Sequence, residues 1–163
     1  MPSLRLLSFL AAAAFSATAH ASGSITVINK CSFAINTINT FASSPGQSGD
    51  AVAAGASSPV YTYGDSSSDY AHIHVWTGTD VDSELVFEAA GSLQQPNGVV
   101  TYDVYEGDNG NPFGTVFTAA SSSDSSCPSL TGADDISPPD VASGTCANGA
   151  DLTFTVCCCM LQA

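Results

Sequence analysis

The sequence predicts an all-β domain, an antiparallel β-sandwich or flattened barrel stapled by disulfides. Three observations lead there. Apolar residues alternate with period two in several short runs, Gly, Pro, Asn and Ser punctuate the chain between them, and six cysteines bracket the runs from Cys31 to Cys159. A sheet that is apolar on one face has to bury it against another, so strands at this spacing suggest two packed layers.

The elements follow in order. Arg5 precedes an apolar stretch from Leu6 to Phe15, too short to span a bilayer, and Ala19-His20-Ala21 fits a leader-peptidase site. Residues 1–21 are therefore expected to be a secretory signal peptide, and 22–163 a single β domain beginning at Ser22. Cleavage after Ala19 is the second choice. Ile25, Val27 and Asn29 alternate with Thr26 and Ile28, and Phe33 to Ile38 continues in β-favouring residues. Tyr70 to Thr77 reads as a strand with Ala71, Ile73 and Val75 on one face and His72, His74 and Trp76 on the other. Leu85 to Phe87, Val99 to Tyr105 and Leu152 to Val156 are further strands. Turns are expected at Pro45-Gly46, Tyr63-Gly64-Asp65, Pro96-Asn97-Gly98 and Asp108-Asn109-Gly110, and polar loops over 121–126 and 134–143.

Charge narrows the partners. The chain carries 15 acidic residues against two basic ones, and removal of the leader takes Arg5 and leaves Lys30 alone. Phosphate backbones and anionic lipid surfaces are bound through clustered Lys and Arg, so nucleic acid and membrane are excluded as partners. Neutral polymers, cations and other extracellular proteins remain. The chain lacks a G-x-S-x-G elbow, a phosphate loop, a dinucleotide fingerprint and an N-glycosylation sequon. No cofactor is called for, and a monomer is expected.

Cys31, Cys127, Cys146, Cys157, Cys158 and Cys159 are all assigned to disulfides, as an oxidising compartment allows. Neighbouring cysteines seldom bridge each other, so each of the last three is expected to reach one of Cys31, Cys127 and Cys146, in an order left open. A bridge from Cys31 to the closing strand would close a loop of over 120 residues.

Four segments then resemble a known family. Ser24 to Phe33 (SITVINKCSF) is similar to the opening strand and first cysteine of thaumatin-like proteins; His74-Val75-Trp76-Thr77-Gly78, Val100 to Val104 with Asn111-Pro112-Phe113, and Asp151 to Cys157 resemble later segments in the same order. In size the chain resembles the small fungal secreted proteins named after the Blastomyces yeast-phase-specific protein, a reduced thaumatin-like domain. The resemblance implies that Cys157 pairs with Cys31. It also implies a cleft of carboxylates, to which Glu88 and Asp103 correspond, and a weak endo-β-1,3-glucanase activity. The mature chain has no Arg for that cleft set, and is too short and too poor in cysteine for the loop-rich wall beside it.

The candidate sites are therefore few. Glu88 and Asp103 are the candidate catalytic carboxylates, since glycoside hydrolysis takes two. Tyr70, Trp76, Asp103 and Tyr105 are the candidate ligand-binding residues, because aromatic faces cover the apolar faces of sugars. Strand alternation puts the imidazoles of His72 and His74 on one face, where they form a candidate copper or zinc pair with Asp69 or Asp82 as a third ligand. Were His20 the mature N-terminus, a copper brace would open as a further reading. Asp108-Asn109-Gly110-Asn111 lacks the spacing and terminal Glu of a calcium loop and reads as a turn. The expected function is a secreted, non-enzymatic binding protein of the cell surface, cell wall or host interface. Its expected partner is a neutral polysaccharide such as a β-glucan, or an extracellular protein.

Overall fold

The structure, a computed structural model, describes residues 23–40, 49–63, 71–79, 82–92, 99–107, 109–113, 117–132, 142–147 and 149–157. The leader, Tyr70, Asp69, Cys158, Cys159 and the turns at Pro45-Gly46 and Pro96-Asn97-Gly98 lie outside these residues.

Eleven strands form among the described residues: β1 (Gly23–Asn29), β2 (Ile35–Asn39), β3 (Asp50–Val52), β4 (Tyr61–Tyr63), β5 (Ala71–Trp76), β6 (Glu84–Ser92), β7 (Val99–Glu106), β8 (Phe117–Ser121), β9 (Leu130–Gly132), β10 (Ala142–Ala147) and β11 (Leu152–Val156). They make a five-stranded sheet ordered β4-β1-β11-β8-β9 and a six-stranded sheet ordered β10-β7-β6-β5-β2-β3. The alternation read from the sequence is the alternation of burial. Ile25, Val27 and Asn29 are buried in β1, and Ala71, Ile73 and Val75 in β5, while the residues between them are half-buried on the opposite face. The two inner faces meet through aromatic rings. Phe154 of the first sheet stacks on Phe87 of the second at 5.1 Å between centroids and takes the edge of Phe117 at 5.8 Å.

One ladder departs from the antiparallel expectation. β1 and β11 pair in parallel, from Ile25 opposite Leu152 to Asn29 opposite Val156. A parallel pair needs a long crossover, and here the rest of the domain is that crossover. The far end of the pair is locked by the Cys31–Cys157 disulfide, 126 residues apart in sequence. Cys157 takes a φ of 55°, a left-handed conformation that non-glycine residues rarely adopt, directly after β11. Its bridge and its burial hold it there.

The other bridge corrects the cysteine expectation. Cys127 pairs with Cys146, not with a member of the closing triplet. The reason is the layer geometry. β10 is the edge of the six-stranded sheet and approaches β9, the edge of the other, so the loop leading into β9 brings Cys127 to 5.0 Å (Cα to Cα) from Cys146. The polar loop expected over 134–143 ends earlier than expected, since Ala142 and Ser143 already belong to β10. Gly144 makes that possible. It lies opposite Tyr102 on β7, and a Cβ there would meet the Tyr102 ring at 2.6 Å.

Asn29 is a fully buried polar side chain at the end of β1. Its Nδ2 donates to the carbonyls of Phe33 (2.8 Å) and Val52 (2.9 Å), and its Oδ1 accepts from the Cys31 backbone N–H (2.9 Å). One side chain thus ties β1, the Cys31 turn and β3 together. Replacing it by alanine or leucine orphans two carbonyls and an amide, and a buried unmet group costs about 1–3 kcal/mol. Asn29→Leu is expected to lower unfolding stability by about 3 kcal/mol in denaturant titration. Replacing Cys31 and Cys157 together by serine is expected to cost about 4–5 kcal/mol, for the long loop it reopens.

Candidate functional site

The outward face of the six-stranded sheet carries the chemistry. Register sets its rows. His72 lies opposite Glu88, and Glu88 opposite Asp103; one row along, His74 lies opposite Val86, and Val86 opposite Tyr105; at the end, Trp76 lies opposite Glu84. Period-two alternation in β5, β6 and β7 sends all of these side chains to the same side. Val86 is buried even though it points outward. It forms the apolar floor of an open depression of about 270 Å³ lined by His72, His74, Asp82, Glu84, Tyr105 and Glu106 among others.

Hydrogen bonds run through the two imidazoles. His74 Nδ1 is 2.7 Å from Glu84 Oε2. His74 Nε2 is 3.0 Å, and His72 Nδ1 3.3 Å, from the same Thr40 Oγ1. His72 Nε2 is 2.6 Å from the Tyr105 hydroxyl. The rings are tilted against each other, with centroids 4.6 Å apart. Thr40 is placed by its own backbone N–H, which donates to the His72 carbonyl at 2.9 Å.

The environment shifts several of these groups. Burial, the neighbouring His74 and, in the opposite sense, Glu84 act on His72, and the net effect lowers its pKa below the ordinary imidazole value. Burial, then the charge of Asp103, raises Glu88, against a hydrogen bond from Tyr105 that lowers it. Burial also raises Asp103. The Tyr105 phenol is pushed up to about 12 by burial, then by Glu88, Glu84 and Asp103. It therefore remains a protonated donor across the physiological range.

Of the residues singled out from the sequence, the fold brings together Tyr105, His72 and His74, and sets Glu88 directly opposite Asp103. Trp76 is not beside Tyr105. It lies two strands away in the next row, and its indole covers Gly49, where a Cβ would meet the ring at 2.4 Å. Each ring nitrogen of the two histidines faces a protein partner, and no group of three His, Cys, Asp or Glu suited to a metal occurs among the described residues. Asp82 lines the depression, and its carbonyl accepts the Asn109 N–H (3.0 Å). The segment about Asn109 is a turn, as expected, with Gly110 at φ 81°. Thr40 was missed, and no local pattern marks it. It is 32 residues from His72, and only the β2–β5 pairing makes them neighbours.

Comparison with known proteins places this architecture. The model of the Bys1 family, Blastomyces yeast-phase-specific protein, matches residues 12–158. The chain belongs to this family. Two solved structures share the fold of this Bys1 protein. The elicitor MoHrip2 from Magnaporthe oryzae superposes with a TM-score of 0.65 at 17% identity, over 83% of this chain and 98% of the elicitor. The thaumatin-like xylanase inhibitor TLXI superposes with a TM-score of 0.51 at 18% identity, over 80% of this chain and 97% of the inhibitor. A search of curated proteins found no match. The Bys1 domain is thus an all-β, disulfide-bonded sandwich of the thaumatin-like kind.

The shifted groups make stability depend on pH in two opposite limbs. The His72 contribution is complete above about pH 6.5, the unfolded imidazole value. It is lost as the pH falls from there through the lowered folded value, because the unfolded chain takes up the proton more readily. Glu88 and Asp103 act the other way. Their raised folded values mean that acidification through the carboxylate range protonates them in the fold first and restores stability. Thermal unfolding is expected to show Tm falling between pH 8 and 5, with a flatter profile in His72→Gln. An unchanged slope in that variant would place the titration elsewhere.

Proposed function

We propose that this chain is a secreted, non-enzymatic binding protein whose ligand face is the outward face of the six-stranded sheet, and whose ligand is a neutral extracellular polysaccharide of the β-glucan type. One observation carries the reading. Tyr105, His72, Thr40, His74 and Glu84 form a hydrogen-bonded series of donors and acceptors beside the apolar floor of Val86, with Glu88 and Asp103 in the adjoining row and no Lys or Arg among the residues lining the depression. Sugars without charge present hydroxyls in fixed directions and apolar ring faces. A rigid polar constellation with an apolar floor and an aromatic wall suits them. The two similar structures are an elicitor and an inhibitor, neither described as an enzyme, and both descriptions fit proteins that act by binding. The two disulfides among the described residues suit an extracellular location.

The alternative on the same face is a weak glucanase. Glu88 and Asp103 are cross-strand partners with raised pKa values, and glycoside hydrolysis uses two carboxyl groups in different protonation states. One experiment separates the readings. The protein is incubated with insoluble β-1,3-glucan, chitin and cellulose, and both retention and released reducing ends are measured. Retention on glucan alone without sugar release is expected. Tyr105→Ala is expected to weaken retention about tenfold or more, since losing one stacked or bonded aromatic costs about 1–3 kcal/mol. Trp76→Ala, outside the lining of the depression, is expected to weaken it less. Release abolished by Glu88→Gln or Asp103→Asn would establish the hydrolase. No retention on any polymer would overturn the polysaccharide reading in favour of a protein partner.

A further inference from the structure

The outward residues of the six-stranded sheet form rows that run across its strands. One row is continuous over four of them, from Ile38 on β2 through His74 on β5 and Val86 on β6 to Tyr105 on β7. Ile38 is half-buried and Val86 buried, so the row presents apolar surface between its polar members. In the adjacent row Asn36 lies opposite Trp76, and Trp76 opposite Glu84.

Two aromatic side chains stand at opposite ends of this strip and lean in opposite directions. Tyr105 points from β7 towards β5, where its hydroxyl is 2.6 Å from His72 Nε2. Trp76 starts on β5, and its indole crosses β2 to Gly49, directly before β3. A Cβ on Gly49 would stand 2.4 Å from that ring, so a side chain there would displace the indole. Neighbouring strands are about 4.8 Å apart, and alternate residues along a strand about 6.7 Å. Two strands across and one row along, the two aromatic positions are then about 12 Å apart. Glu84 lies between them, its Oε2 2.7 Å from His74 Nδ1, and a carboxylate retains acceptor capacity for a ligand hydroxyl beyond one such bond.

We propose that the ligand face is a two-point site for a linear neutral glycan laid across the strands, with one sugar ring on Tyr105, another on Trp76, and Gly49 as the residue that positions the indole. The separation is more than two adjacent rings of a glycan chain can cover. At least one further ring therefore lies between them, over Ile38, His74 and Val86. Such a site measures chain length: a disaccharide reaches one aromatic, and a trisaccharide or longer reaches both. An aromatic face gains by covering the apolar face of a sugar ring, and a second contact made by the same chain adds to the first without a second association cost. The two-point site rests on the polysaccharide reading and names the form of polymer that it takes.

The test is titration calorimetry of the full secreted protein with soluble β-1,3-linked glucose oligomers of increasing length. The hexamer is expected to bind about fivefold more tightly than the dimer, the worth of one further aromatic contact. Trp76→Ala and Gly49→Ala are each expected to remove that gain and to leave dimer binding unchanged, while Trp76→Phe keeps part of it. Tyr105→Ala is expected to weaken oligomers of every length. Unchanged dimer binding separates a lost contact from a damaged fold. A hexamer no tighter than the dimer, or a gain that survives Trp76→Ala, would overturn the two-point site and keep the glycan site at the depression. Failure of every oligomer to bind would overturn the polysaccharide reading, and the two-point site with it.

Discussion

The parallel pairing of β1 with β11 is the constraint on which the rest depends. Two strands from opposite ends of the domain lie side by side at the centre of one sheet, and everything between them has to leave one and return to the other. Such a long closure is entropically costly, and it is offset in two ways. The Cys31–Cys157 bridge removes much of that entropy from the unfolded chain. Asn29 holds the end of the pair by meeting three backbone groups at once in a fully buried site, where each bond is worth more and each missing bond costs more. Phe154 then projects from β11 onto Phe87 and couples this sheet to the other.

The polar outer face of the six-stranded sheet depends on that frame indirectly. Because the inner face of the six-stranded sheet is fully committed to the five-stranded one, its outer face is free to carry polar residues in register. β5, β6 and β7 are neighbours, so residues from three separate stretches of chain meet in three adjacent rows. The consequence is a dense set of titratable groups at partial burial. Such a set shifts its own pKa values through shared desolvation and mutual charge, which is a common property of sites and also of structural networks. What distinguishes this one is its open side. The depression above Val86 leaves the side chains that bond to one another lining an open cavity.

Much of the fold was legible in the sequence, and the misses share a cause. β1, β5, β7 and β11 alternate strongly in Ile, Val, Phe and Tyr, and their burial follows that pattern residue by residue. β8 (FTAAS) and β10 (ASGTCA) do not look like strands, since small residues carry little β preference of their own. They are strands because of their partners. Ala119 lies opposite Phe154, and Gly144 lies opposite Tyr102, and in each place a large ring needs a small neighbour. The Cys127–Cys146 pairing was hidden for the same reason, since it depends on two sheet edges meeting.

By itself the sequence determined the class of the protein: an all-β, cross-linked, strongly acidic domain, with the faces of its best strands assigned correctly and nucleic acid disfavoured. Period-two alternation, turn chemistry and charge are local or additive properties, and local properties can be read from a string. Only the tertiary structure decided which cysteines pair, that the first and last strands run parallel, that Trp76 stands apart from Tyr105, and that Thr40 joins His72 to His74. Those are matters of register between strands far apart in the chain, and register is settled by packing of the whole core at once.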